Sequence, residues 1–157
     1  MNLYVDSDFK ISSVFQERLS ELVTDSEYNK SDLPSLIGIS KDILIRAVNI
    51  GMFPSTKSLC KIADYFSVSL DYLMGITDND SYIKAEESQT FRQRIKELKK
   101  EKGVSYCEIA NTLGFARSLF NSWNTYNYIP SLELIYMLAQ YFNVTIDYLL
   151  GRTDDRN

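Results

Sequence analysis

The segment VSLDYLMGITD at residues 68–78 returns 76 residues later as VTIDYLLGRTD at 144–154. A repeat at a fixed period constrains a fold more than composition does, because each copy must be one supersecondary unit. Carried backward without a gap, the same offset sets Phe15, Arg18, Glu21 and Leu22 on Phe91, Arg94, Glu97 and Leu98. It also sets Gly38 on Gly114, Pro54-Ser55 on Pro130-Ser131, and Ala63, Tyr65 and Phe66 on Ala139, Tyr141 and Phe142. About 17 of 64 positions are identical, and most other apolar positions are swaps such as Leu19 for Ile95. The sequence is read as a tandem duplication: one domain at 10–76, a polar linker at 77–88, and a second domain at 89–157.

Composition narrows what such units can do. A chain of 157 residues, 45% hydrophobic and 24% charged, has room for two small cores and excludes disorder. No apolar run approaches the roughly 20 residues that span a bilayer, and MNLYVDSDFK does not read as a signal peptide. A cytoplasmic protein without a membrane partner is expected. There is no histidine, which removes imidazole general bases and imidazole metal ligands. Cys60 and Cys107 are far apart, with no CxxC around either, and read as reduced thiols rather than a metal site or disulfide. No Gly-rich phosphate loop or nucleophile elbow is present. The expectation is a non-enzyme with no cofactor, no metal and no evident small-molecule ligand. The net charge of −4 conceals an asymmetry: residues 1–80 carry net −5 and residues 81–157 net +1.

Each copy is predicted to be all-α, with five short helices. The first covers about 13–23 and 90–102, with apolar residues at 15, 19 and 22 and at 91, 95 and 98. In the second copy Ser105 and Glu108 form an S-x-x-E capping box that opens a helix. Gly114 closes that helix, since glycine adopts the left-handed conformation of a sharp exit. A third helix is predicted over about 116–124, a fourth from Pro130-Ser131 to Phe142, and a last one from Thr145 to Gly151. Two helices around a glycine turn in about 20 residues are a helix-turn-helix.

The residues GVSYCEIANTLGFARSLFNSWN, followed by IPSLELIYMLAQYFNVTIDYLLGRTDD, resemble the lambda-repressor/Cro-like (XRE-type) family of bacterial and phage regulators. The resemblance covers nearly all of both repeats and is strongest at DYLLGRTDD. It implies two tandem five-helix lambda-repressor-like domains, double-stranded DNA as partner, a repressor or activator role, and a homodimer. The family usually carries Gln where Tyr106 stands, and an Asn-Gly-Lys-type turn where TYNYI stands at 125–129.

A major groove about 12 Å wide admits one helix, read through its N-terminal residues. Phe120 and Trp123 are expected to face the core, leaving Arg117, Ser118, Asn121 and Ser122 outward, with Leu119 between the faces. Arg117 suits guanine O6 and N7, Asn121 suits adenine N6 and N7, Ser118 suits a base or a phosphate, and Leu119 suits a thymine methyl. Phosphate contacts are expected from Ser105, Tyr106, Thr125, Tyr126, Asn127 and Tyr128. Arg18 and Arg94 are expected to pair locally with Glu21 and Glu97 at i, i+3. The run Arg92, Arg94, Lys96, Lys99, Lys100, Lys102 shares its helix with Glu97 and Glu101 and reads as a solvated face.

The first copy departs from this pattern. Opposite Arg117, Ser118, Leu119, Asn121 and Ser122 it has Lys41, Asp42, Ile43, Ile45 and Arg46. Asp42 repels phosphates, and Ile45 replaces the side chain best suited to adenine. Pro34 takes the place of Ala110, so that helix is predicted to start late, near Asp32. Lys30, Lys41 and Arg46 remain as weaker DNA candidates, while Ile43 and Ile45 read as a partner or dimer surface. Two functions follow: a DNA-binding transcriptional regulator acting through the second copy, or an acidic helical interaction module of antitoxin or anti-repressor type.

Overall fold

The computed structural model describes residues 10–126 and 128–157. Among these residues the regular structure is all helical, with no strand and one isolated antiparallel bridge between Ile11 and Met52. The chain divides into two compact units, the first ending at Tyr82 and the second beginning at Ile83. The first carries α1 (Ser13–Asp25), α2 (Leu33–Ile37), α3 (Lys41–Ile50), α4 (Thr56–Phe66) and α5 (Leu70–Leu73). The second carries α6 (Phe91–Lys102), α7 (Tyr106–Leu113), α8 (Ser118–Tyr126), α9 (Leu132–Phe142) and α10 (Ile146–Leu149).

Hydroxyl caps set most of the helix starts. Ser12, Ser40, Ser55 and Ser69 accept from the amide three residues on in the first unit, as do Thr90, Ser105, Ser131 and Thr145 in the second. The α2 start is different. Its N-cap is Asp32 without a side-chain cap, and Pro34 sits in the first turn, where a missing amide costs nothing. The fourth helix of each unit ends on a non-glycine residue in the left-handed region, Ser67 at φ 54° and Asn143 at φ 53°.

Each core is a cluster of apolar side chains from all five helices. Phe15, Leu19, Leu33, Leu59, Ile62 and Leu73 are fully buried in the first unit; Ile109, Ile135, Leu138 and Leu149 are in the second. Burying a side chain of this kind stabilises by about 1.5–3 kcal/mol. The second core is richer in rings: Trp123 meets Phe91 edge-on at 5.5 Å and Phe120 at 4.8 Å.

The arginines expected to pair with local glutamates do something else. Arg18 donates to the carbonyls of Tyr72 and Thr77 and to Asp78 Oδ1 at 2.7 Å, with its guanidinium 4.3 Å from the Tyr72 ring centroid. Arg94, 5% exposed, repeats the arrangement with the Thr153 carbonyl, Asp154 Oδ1 at 2.7 Å and the Tyr148 ring at 4.0 Å. A buried guanidinium needs several acceptors, and the exit of the fifth helix offers carbonyls, a carboxylate and a ring together. A lone exposed glutamate one turn away offers less. Each unit is thereby tied from its first helix to its last residues.

Candidate nucleic-acid interface

The helix-turn-helix of the second unit is α7, a glycine turn and α8. Ser105 Oγ accepts from the Glu108 amide at 3.2 Å, and the Ser105 amide donates to Glu108 Oε2 at 2.6 Å, forming the expected capping box. The Ser105 amide, and after it the Ser105 hydroxyl, hold the Glu108 carboxyl below the usual carboxylate range. The Glu108 carboxylate in turn occupies the Ser105 amide. At the other end Gly114, at φ 75°, closes α7 through its amide to the Ala110 carbonyl at 2.8 Å. A Cβ there would meet no atom within 4 Å, so the glycine answers the backbone conformation and not a crowded site.

The helix expected from about 116 is observed over Ser118–Tyr126. Neither Ala116 nor Arg117 carries an acceptor for the first amides, unlike Ser40, which caps α3. The chain therefore enters α8 through tighter turns, with the Leu119 amide on the Ala116 carbonyl at 3.0 Å and the Phe120 amide on the Arg117 carbonyl at 3.1 Å. Arg117 stands just ahead of the helix, exposed.

From that start the two faces separate cleanly. Phe120 and Trp123 are buried at 2% and 4% exposure. Ser118, Asn121 and Thr125 are exposed and fall on one side at the helical spacing of three and four. Ser122 is half-buried on the same side, and its hydroxyl donates to the Ser118 carbonyl at 3.5 Å. Leu119, 36% exposed, lies at the boundary. Tyr126 and Tyr128 are well exposed, their ring centroids 5.9 Å apart. Asn127 lies outside the described residues.

Tyr106, the first residue of α7, is half-buried. Its ring lies 4.4 Å from Phe120, and the Lys99 ammonium stands 4.7 Å from its centroid. Lys99 is thus drawn out of the solvated run on α6 and held beside the start of α7, a placement that sequence spacing alone does not announce. Of the same run, Arg94 is buried, and Lys102 lies 4.4 Å from the Tyr141 ring centroid.

The matching surface of the first unit is α3. Lys41, Asp42, Ile45, Arg46 and Asn49 are exposed along it, with Ile45 at 42%. Ile43 is half-buried, and two residues from Ile45 is about 200° around a helix axis. Ile43 and Ile45 therefore lie on different sides of α3 and do not form one stripe. Lys30 is exposed in the turn before α2.

Fold and surface together define a helical protein with a helix-turn-helix in its second unit. The chain is 32% identical over 63 residues to the uncharacterized HTH-type transcriptional regulator YobD of Bacillus subtilis, covering 40% of this chain and 56% of that protein. It is 42% identical over 59 residues to the HTH-type transcriptional regulator AnsR of Bacillus subtilis, covering 38% of this chain and 51% of that protein. The chain thus spans about half the length of these curated relatives. No protein-family model matches it, and no solved structure matches at a significant level. Among the described residues no cluster of ligating side chains could hold a metal, and no helix is long and apolar enough to cross a membrane.

Proposed function

We propose that the protein is a sequence-specific DNA-binding transcriptional regulator, a repressor, that sets α8 into the major groove of double-stranded DNA as a homodimer. The observation that carries this reading is the division of α8: an aromatic face buried by Phe120 and Trp123 behind a polar face of Ser118, Asn121 and Thr125, with Arg117 exposed at its start. A rigid core behind a donor-rich face is what direct readout of base edges needs. Similarity to two proteins named as HTH-type transcriptional regulators supports the same reading. In it Arg117, Ser118, Leu119, Asn121 and Ser122 contact bases. Ser105, Tyr106, Thr125, Tyr126, Asn127 and Tyr128 contact phosphates, and Lys99 adds a cation beside Tyr106. Lys30, Lys41 and Arg46 contribute weakly, and the first unit, through Ile45 on α3, serves dimer or partner contact.

A second reading is favoured by the capping box. Glu108 sets a carboxylate at the start of α7, where a phosphate would approach, and the first unit's exposed helix carries Asp42 and Ile45. On that reading the protein is an acidic helical interaction module. In vitro selection of random duplex DNA with the full chain separates the two. An enriched inverted repeat with half-sites about one helical turn apart supports the regulator, and affinity should then fall steeply with salt. No enrichment overturns it in favour of the module. Two dissimilar half-sites would mean that α3 reads DNA as well.

A further inference from the structure

The first unit has an open cleft of about 310 Å³, lined by Leu22, the run from Asp25 to Tyr28, and the adjacent rings of Tyr65 and Phe66 at the end of α4. The two rings meet edge-on, with centroids 5.0 Å apart and an interplanar angle of 88°. Among the described residues neither Asp25 nor Glu27 forms an ion pair.

The second unit shows what this arrangement holds. At the end of α9, Tyr141 and Phe142 form the same edge-on pair at 4.9 Å and 89°, before a left-handed Asn143 where the first unit has a left-handed Ser67. Lys102, the last residue of α6, stands with its Nζ 4.4 Å from the Tyr141 centroid and 6.0 Å from that of Phe142, and donates to the Tyr141 carbonyl at 3.0 Å. Its neighbour Glu101 is bridged by Arg156 at 2.8 and 2.9 Å. The repeat offset sets Ser26 opposite Lys102, Asp80 opposite Arg156 and Asp25 opposite Glu101. The first unit has kept the rings, the helix end and the carboxylate, and has lost the cation at both positions.

We propose that this cleft binds an alkylammonium group from outside the unit, the end of a lysine side chain or of a free aliphatic amine. The faces of Tyr65 and Phe66 attract a cation. Asp25 and Glu27 supply opposite charge, and the last turn of α4 presents the Tyr65 carbonyl at the negative end of its dipole. Leu22 gives the aliphatic stem an apolar wall.

The test is a two-dimensional NMR titration of the full chain with three probes: Nα-acetyl-lysine methylamide, putrescine, and the uncharged Nα-acetyl-norleucine methylamide. Both amines should move the Tyr65 and Phe66 ring resonances and the amides of Ser26, Glu27 and Tyr28, while the norleucine probe leaves them still. Ser26→Lys, which tethers an ammonium at the position of Lys102, should weaken amine binding by about fivefold or more. Lys102→Ser should give Tyr141 and Phe142 the same response to amines. A lysine probe binding as tightly as putrescine assigns the site to a partner's lysine; tighter putrescine assigns it to a free amine. Equal shifts with the norleucine probe, or binding untouched by Ser26→Lys, overturns the proposal. If Ser26→Lys fails to fold by circular dichroism, Asp25→Asn with Glu27→Gln takes its place, and undiminished binding there overturns it equally.

Discussion

The helices that follow the two turns, α3 and α8, differ in how they are held and in what they present. The first is secured at both ends. Ser40 caps its start and Gly51, at φ 68°, its finish. The Gly51 carbonyl then accepts from the Ser12 amide at 2.9 Å, and Gln16 donates to the Val48 and Asn49 carbonyls at 3.1 and 2.6 Å. Ala47 keeps the buried side slim. In α8 Trp123 stands at the Ala47 position, no hydroxyl precedes the first turn, and the residue at the Gly51 position is asparagine. One helix is sealed by its own unit, and the other rests on a bulky aromatic core with polar groups turned outward. The lesson is that a shared scaffold does not fix a shared surface. A few cap and core residues decide how each helix is held.

The largest effect that would break the contrast comes from its aromatic core. Trp123→Ala should cost about 3–5 kcal/mol in urea unfolding, because it leaves Phe91 and Phe120 against a cavity. A cost under about 1 kcal/mol would mean that α8 does not lean on that ring. The glycines give the next step. Gly51→Ala places a Cβ against the Ser12 carbonyl as well as at positive φ, and should cost more than about 2 kcal/mol. Gly114→Ala, with the same sign of φ and open space, should cost about 1 kcal/mol. Equal costs would mean that the close approach of the Ser12 carbonyl to Gly51 adds nothing to the seal on α3.

Binding sharpens the comparison further. On a selected duplex, Arg117→Ala should lose about 1–3 kcal/mol and relax base choice at one position. Lys41→Ala, its counterpart on α3, should change affinity by much less. The reverse order would transfer the reading role to the first unit. The smallest effect concerns Glu101, whose carboxyl lies below its ordinary range through the hydrogen bond from Arg156. A depressed folded value means stability that is present above the ordinary carboxylate range and is lost as pH falls through the folded value. Glu101→Gln should therefore flatten the acid side of a Tm-against-pH curve slightly.

Much of the scaffold was legible in the sequence because it is local. The capping box at Ser105 and Glu108, the glycine turn at 114, the delayed α2 behind Pro34 and the inward pair Phe120 and Trp123 all follow from residues within one or two turns of each other. What escaped is what acts across the unit. Arg18 and Arg94 find acceptors some 60 residues away, and no i, i+3 rule reveals that. Lys99 and Lys102 leave a helix that reads as solvated to lie over rings on other elements. The late start of α8 was readable in principle, since Ala116 cannot cap. The split of Ile43 from Ile45 follows from helix geometry alone, yet a list of apolar residues hides it.

The arginine ties have a consequence for how the chain comes off the ribosome. The first unit cannot latch until Tyr72, Thr77 and Asp78 have emerged, because Arg18 waits for their oxygens. By then every helix of that unit has been made, while the acceptors of Arg94, at Thr153 and Asp154, lie about 75 residues further on. Each guanidinium meets acceptors of its own unit, so the first latch needs nothing from the second.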